Sequence, residues 1–159
     1  AIRGFTDTVK ITSSANHAMF ECGNRAIVTR QMEGEFPKWR SFIPELPYSI
    51  EIPESLTRAI QRVEVTSDRS VLKVTFARES IKVESNGKDG QAKESLPTMS
   101  NLNGQEMPIG LFGRQVLEAI RGQNGVTCQL AAADKPLLFQ PISKDFSVVY
   151  IVMPATLKW

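Results

Sequence analysis

Gly34-Glu35-Phe36-Pro37-Lys38-Trp39-Arg40-Ser41-Phe42-Ile43-Pro44 is the stretch that divides this 159-residue chain. A residue that precedes proline is pushed out of the helical region toward extended or turn geometry. Phe36-Pro37 and Ile43-Pro44 therefore bracket a short basic-aromatic segment that cannot lie inside a regular helix. Pro47 stiffens its far end and Gly34 opens it. Residues 33–47 read as a linker with anchored apolar ends, and the domain boundary is expected there.

Upstream of the linker the chain reads as strands. Thr8-Val9-Lys10-Ile11-Thr12 alternates polar and apolar residues, as does Ala18-Met19-Phe20-Glu21-Cys22. Between them Ser13-Ser14-Ala15-Asn16 is turn chemistry. Gly23-Asn24 makes a second turn before the β-branched run Ala26-Ile27-Val28-Thr29. A small meander of this kind has no helix to cover it. A sheet needs a covering layer to bury one face, so this segment reads as the tail of a domain.

Downstream the same sentence is written twice. Tyr48-Ser49-Ile50-Glu51-Ile52 is a strand, and Pro53 is expected in the first turn of a helix. Leu56, Ala59, Ile60 and Val63 recur at helical spacing. Three strands follow: Val71–Phe76, Ser80–Ser85 and a polar one near Gln91–Leu96, with Asn86-Gly87 to Gly90 as a hairpin tip. The second copy opens on Gln105-Glu106-Met107-Pro108-Ile109-Gly110. Its helix carries Val116, Leu117, Ala119 and Ile120, and Gly122 and Gly125 end it. Its strands are Val126–Leu130, Pro136–Gln140 and Val148–Val152. Two such strand–helix–three-strand units imply an α+β fold, with two helices side by side on one curved antiparallel sheet.

Composition sets wide bounds. A hydrophobic fraction of 42% and a charged fraction of 23% are ordinary for a globular protein. No apolar run approaches the roughly 20 residues of a membrane helix. The first residues show no signal-peptide pattern, so a cytoplasmic location and no membrane contact are expected. Nineteen basic against 17 acidic residues leave a net charge of +2. That balance says little of nucleic acid unless the basic groups share one face.

Catalytic chemistry finds no foothold. His17 is the only histidine and falls at a turn. No serine or cysteine has a general base near it in sequence. The acids show no metal-ligand spacing, and Cys22 and Cys128 are too far apart for a zinc pair. Both cysteines are expected as buried thiols. Asn86-Gly87-Lys88-Asp89-Gly90 lacks the remaining ligands of a calcium loop and reads as a hairpin. No catalytic residue, no metal and no cofactor is expected.

Two features point to binding. On the first helix Arg58 and Arg62 stand four apart, away from Leu56 and Ile60. On the second, Arg114 and Arg121 stand seven apart, with Glu118 interrupting the line. Such a sparse basic face suits nonspecific phosphate contact and carries no base-reading element. The other feature is apolar and proline-bearing: Phe36, Pro37 and Phe42 in the linker, and Ile151, Met153 and Pro154 at the end. Were they to meet, they would form a groove that accepts short peptides with leucine or phenylalanine anchors.

These same residues carry a resemblance. Met32-Glu33-Gly34-Glu35-Phe36-Pro37-Lys38-Trp39-Arg40-Ser41-Phe42-Ile43-Pro44 resembles the strand-to-linker passage of the bacterial DNA sliding clamp, the beta subunit of DNA polymerase III. Trp39 stands where that family usually has tyrosine. Met107-Pro108-Ile109-Gly110 is similar to the family's entry to its last helix. Pro136-Leu137-Leu138-Phe139 and Tyr150-Ile151-Val152-Met153-Pro154 resemble its closing strands. The three matches fall in the right order and span essentially the whole chain.

The resemblance implies a noncatalytic processivity factor. In that family three similar domains per chain, two chains head to tail, form a ring around duplex DNA, with helices lining the inside. Residues 1–45 would be the end of the middle domain plus linker, and residues 46–159 the complete C-terminal domain. The first domain and most of the middle one would then be absent, as in a truncated form, a proteolytic fragment or a split gene product. Without a first domain this chain alone would not close the usual ring. Arg58, Arg62, Arg114 and Arg121 would face DNA. Pro37, Phe42, Ile151, Met153 and Pro154 would line the pocket for the leucine/phenylalanine peptides of polymerase and clamp-loader subunits. Departures from the pattern are Ser41 for a frequent arginine, Phe112 and Gln115 for polar and tyrosine contacts, and Ala155 for a bulkier residue. The chain also runs on through Thr156-Leu157-Lys158-Trp159. The alternative is a stand-alone peptide-binding module that binds clamp partners without encircling DNA.

Overall fold

The computed structural model describes residues 8–35, 38, 41, 43, 45–68, 70–88, 90–123, 125–142 and 148–157. The chain forms two compact units, residues 1–38 and 39–159. The first holds β1 (Lys10–Ser13), β2 (His17–Cys22) and β3 (Arg25–Arg30), an antiparallel meander in the order β1-β2-β3. Ser14 shapes the first turn. Its N–H donates to the His17 carbonyl at 2.8 Å, and its hydroxyl accepts the His17 N–H at 3.2 Å. Gly23 takes the second turn at φ 57°, a left-handed conformation that glycine adopts without steric cost. Ala18 is the buried residue of this sheet, while Cys22, expected as buried, is half-buried. Among the described residues of this unit no helix is formed, so the meander has no second layer of its own there.

The second unit contains the repeat. Its elements are β4 (Tyr48–Ile52), α1 (Leu56–Glu64), β5 (Val71–Phe76), β6 (Ser80–Gly87), β7 (Gly90–Pro97), β8 (Met107–Phe112), α2 (Gly113–Ile120), β9 (Val126–Leu130), β10 (Leu137–Pro141) and β11 (Tyr150–Val152). The strands form two four-stranded antiparallel sheets, ordered β11-β10-β9-β4 and β7-β6-β5-β8. Each half contributes three consecutive strands to one sheet and its leading strand to the other. Ile50 of β4 registers with Cys128 of β9, and Ile109 of β8 with Val74 of β5.

The expected curved antiparallel surface is thus built of two sheets that meet at two seams. At the first seam an isolated bridge joins Ile50 to Ser100, just past β7. At the second, Gly110 bridges Ala155, just past β11.

Between the sheets and the helices lies one core. Leu56, Ala59, Ile60 and Val63 of α1 and Val116, Ala119 and Ile120 of α2 bury against Ile50, Leu72, Val83, Ile109, Leu130 and Phe139. Cys128 is part of this core, and burial pushes its thiol pKa up. The helices run antiparallel: Thr57 near the start of α1 lines a small cavity with Ile120 and Gln123 beyond α2. At the other end the Glu64 carboxylate fills the space a side chain would need at Gly113.

One local expectation is corrected. Pro53 lies outside α1, because the chain first makes a turn and Ser55 is the residue that precedes the helix. The second helix stops at Ile120. Arg121 is extended at φ −65°, ψ 129°, and Gly122 turns the chain at φ 72°. Arg121 is the residue that caps the helix, its N–H still donating to the Leu117 carbonyl at 2.9 Å, so it stands about two turns on from Arg114.

Candidate functional site

The second seam builds a groove from the backbone up. β8 pairs with β5 on one side only, so Pro108, which has no N–H to give, is tolerated in it. Beyond β11, Met153-Pro154 leaves the sheet and crosses the free edge of β8, where the Ala155 N–H donates to the Gly110 carbonyl at 2.7 Å. This crossing requires glycine. A Cβ on Gly110 would run into the Ala155 carbonyl and meet the Leu157 side chain at 3.1 Å. The result is an open groove of about 410 Å³. Its walls are Pro108 and Gly110, the loop residues Ala133 and Asp134, and the segment Pro154–Leu157.

Of the residues expected here, Pro154 lines the groove. Met153 next to it is 57% exposed, a large apolar side chain offered to solvent. Ile151 registers with Leu138 of β10, so both point to the sheet face away from the core, while Val152 points inward. Pro37 and Phe42 lie outside the described residues.

The helical face is sparser than the sequence implies. Arg62 and Glu94 of β7 make a bidentate pair, Nε to Oε1 at 2.6 Å and Nη2 to Oε2 at 2.7 Å. The hydrogen bond from Arg62 holds the Glu94 carboxyl below the usual range, against a small opposing effect of burial. The same bond raises the Arg62 guanidinium further. Arg114 pairs with Glu118 one turn on, at 3.3 Å. Arg58 and Arg121 are exposed and form no ion pair among the described residues. Two of four arginines thus already hold a carboxylate.

The comparisons bear on what such an arrangement serves. Residues 48–156 match the family model described as DNA polymerase III beta subunit, C-terminal domain. The chain belongs to this family. Curated relatives are a beta sliding clamp from Synechocystis sp., 24% identical over 99% of this chain and 42% of its own length. Another is from Synechococcus elongatus, 22% identical over 99% of this chain and 44% of its length. The chain thus spans less than half the length of the curated relatives it matches. Among solved structures, the sliding clamp of Pseudomonas aeruginosa with ligand has a TM-score of 0.78 at 20% identity. It covers 94% of this chain, which covers 42% of that one. A sliding clamp from Bartonella birtlesii bound to griselimycin also has a TM-score of 0.78, at 22% identity, with 94% of this chain and 41% of that chain covered. These likenesses show the clamp fold.

The sequence named the end of the groove and missed its walls. Pro108 and Gly110 stood in a noted motif, but nothing local showed that the chain after β11 would cross them. Ala133 and Asp134 come from a loop with no signal of its own. No group of three or more His, Cys, Asp or Glu able to hold a metal converges among the described residues. No helix among them is long and apolar enough to cross a membrane.

Proposed function

We propose that this chain is the C-terminal portion of a DNA sliding clamp, a noncatalytic processivity factor of the cytoplasm. Residues 46–159 are its C-terminal domain, and residues 1–45 the end of its middle domain with the linker. As part of a head-to-tail ring, the clamp holds polymerase and clamp-loader subunits to duplex DNA. The groove at the second seam is the observation that carries this reading. It offers a largely apolar surface walled by Pro108 and Pro154, with the exposed Met153 adjoining it in the chain, which suits the leucine and phenylalanine anchors of a short extended peptide. The peptide contacts proposed are Pro154 of its wall, the neighbouring Ile151 and Met153, and, from the family resemblance alone, Pro37 and Phe42.

The helical face does weaker work. Arg58 and Arg121 can approach phosphates at once, whereas Arg62 and Arg114 must first leave Glu94 and Glu118. Two arginines without base-reading neighbours give nonspecific, salt-sensitive contact, with a slope of about −2 in log affinity against log salt. Such contact serves sliding rather than sequence recognition.

The test is fluorescence anisotropy with a labelled leucine/phenylalanine peptide. Saturable binding that is lost in Met153→Asp is the expected result. Unchanged affinity in that variant would show that the groove is not the docking site.

A further inference from the structure

The groove at the second seam has a counterpart at the first. There the chain leaving β7 crosses the edge of β4. The Glu51 N–H donates to the Met99 carbonyl at 3.0 Å and the Asn101 N–H to the Ser49 carbonyl at 3.2 Å. Between the crossing strands lies an open cavity of about 310 Å³, walled by Glu51, Ile52, Pro53, Pro97, Thr98 and Met99. Met99 is 74% exposed, more than Met153 at the other seam.

We propose that this first-seam cavity is a second peptide site, which takes an extended segment bearing an apolar side chain beside a lysine or arginine. Ile52, Pro53, Pro97 and Met99 supply the apolar contact. The two prolines are already fixed, so a ligand orders little of the wall on binding. Charge sets the rest. The Glu51 carboxylate is exposed and has no ion-pair or hydrogen-bond partner among the described residues. The Thr98 hydroxyl donates to the Glu51 carbonyl, so it is not free to donate to a ligand anion. The rim thus offers an unpaired carboxylate, which favours a cationic side chain. The second-seam groove differs here, because its acid, Asp134, already has Lys135 at 3.9 Å.

The inference borrows from the function proposed above only the idea that a seam of this construction holds a peptide. Methionine methyl resonances separate the two. The chain has five methionines, and Met99→Leu and Met153→Leu assign the two that matter. The full chain, labelled at methionine methyls, is titrated with the blocked pentapeptide Gln-Leu-Lys-Leu-Phe to millimolar concentration. The Met99 signal is expected to shift saturably and to weaken about tenfold in Glu51→Gln, which keeps every backbone bond of β4. The same peptide with glutamate for lysine is expected to leave Met99 in place. A Met99 signal that never moves overturns the second site, and one that moves equally for the glutamate peptide overturns its cationic preference. A silent Met153 beside a shifting Met99 would sink the second-seam groove and leave this one standing.

Discussion

Gly110 shows how one missing side chain makes a site. It stands in an edge strand where another segment must cross at hydrogen-bonding distance, and any Cβ would collide with the Ala155 carbonyl. Gly110→Ala is therefore expected to destabilise the domain by about 1–3 kcal/mol through forced backbone movement. It is also expected to weaken peptide binding, because Pro154–Leu157 loses its seat. Urea denaturation and peptide anisotropy together check this; a variant with wild-type midpoint and affinity would show that the crossing is not tight. At this scale the sequence was a partial guide. It singled out Met107-Pro108-Ile109-Gly110 as a motif but carried no sign of why glycine was needed, since the colliding atom is 45 positions on. For the same reason it gave no sign that Arg62 already holds a carboxylate. Glu94, which holds it, is 32 residues away on another strand.

At the scale of elements the sequence was more legible. Helix spacing and strand alternation placed both helices and every strand close to where they lie, because each depends on local periodicity. Sheet membership was not legible. Nothing local tells β4 to pair with β9 or β8 with β5, since strand pairing is a long-range choice. The Arg62–Glu94 pair adds a long-range link of another kind, joining α1 to the edge strand β7. Its pH dependence has a definite sign. A carboxylate whose pKa is lowered by folding stabilises the fold while ionised. That contribution is complete above the unfolded carboxylate range and disappears as pH falls through the lowered folded value. Wild type should therefore exceed Glu94→Gln in urea midpoint at neutral pH, and the gap should close as both are acidified. Arg62 stays protonated throughout, so the effect tracks Glu94 alone. A gap that persists at the acid end would mean that Glu94 acts by packing rather than by charge.

The whole molecule is unequal in its two units, and this inequality is testable. In the first unit Ile11 and Val28 are 64% and 61% exposed, and Ala18 is the buried residue of its sheet. In the second, two sheets and two helices enclose a continuous core in which Ile50, Ile60, Leu102 and Phe139 are fully covered. Local stability follows buried apolar contact, so amides of β1–β3 are expected to exchange through frequent local opening. Amides of β5, β6 and β9 are expected to exchange only when the second unit unfolds as a whole. Cys128 supplies an independent clock. Buried, with its thiol pKa raised, it offers almost no thiolate to an alkylating reagent in the folded state. Its modification should keep pace with the slowest amides of β9, in a Cys22→Ser background that removes the other thiol. If β1–β3 were instead protected to the same degree as β9, the meander would be drawing stability from burial beyond its own sheet. If Cys128 reacted faster than the β9 amides exchanged, the core around it would open without global unfolding, and the two halves of the repeat would not fold as one unit.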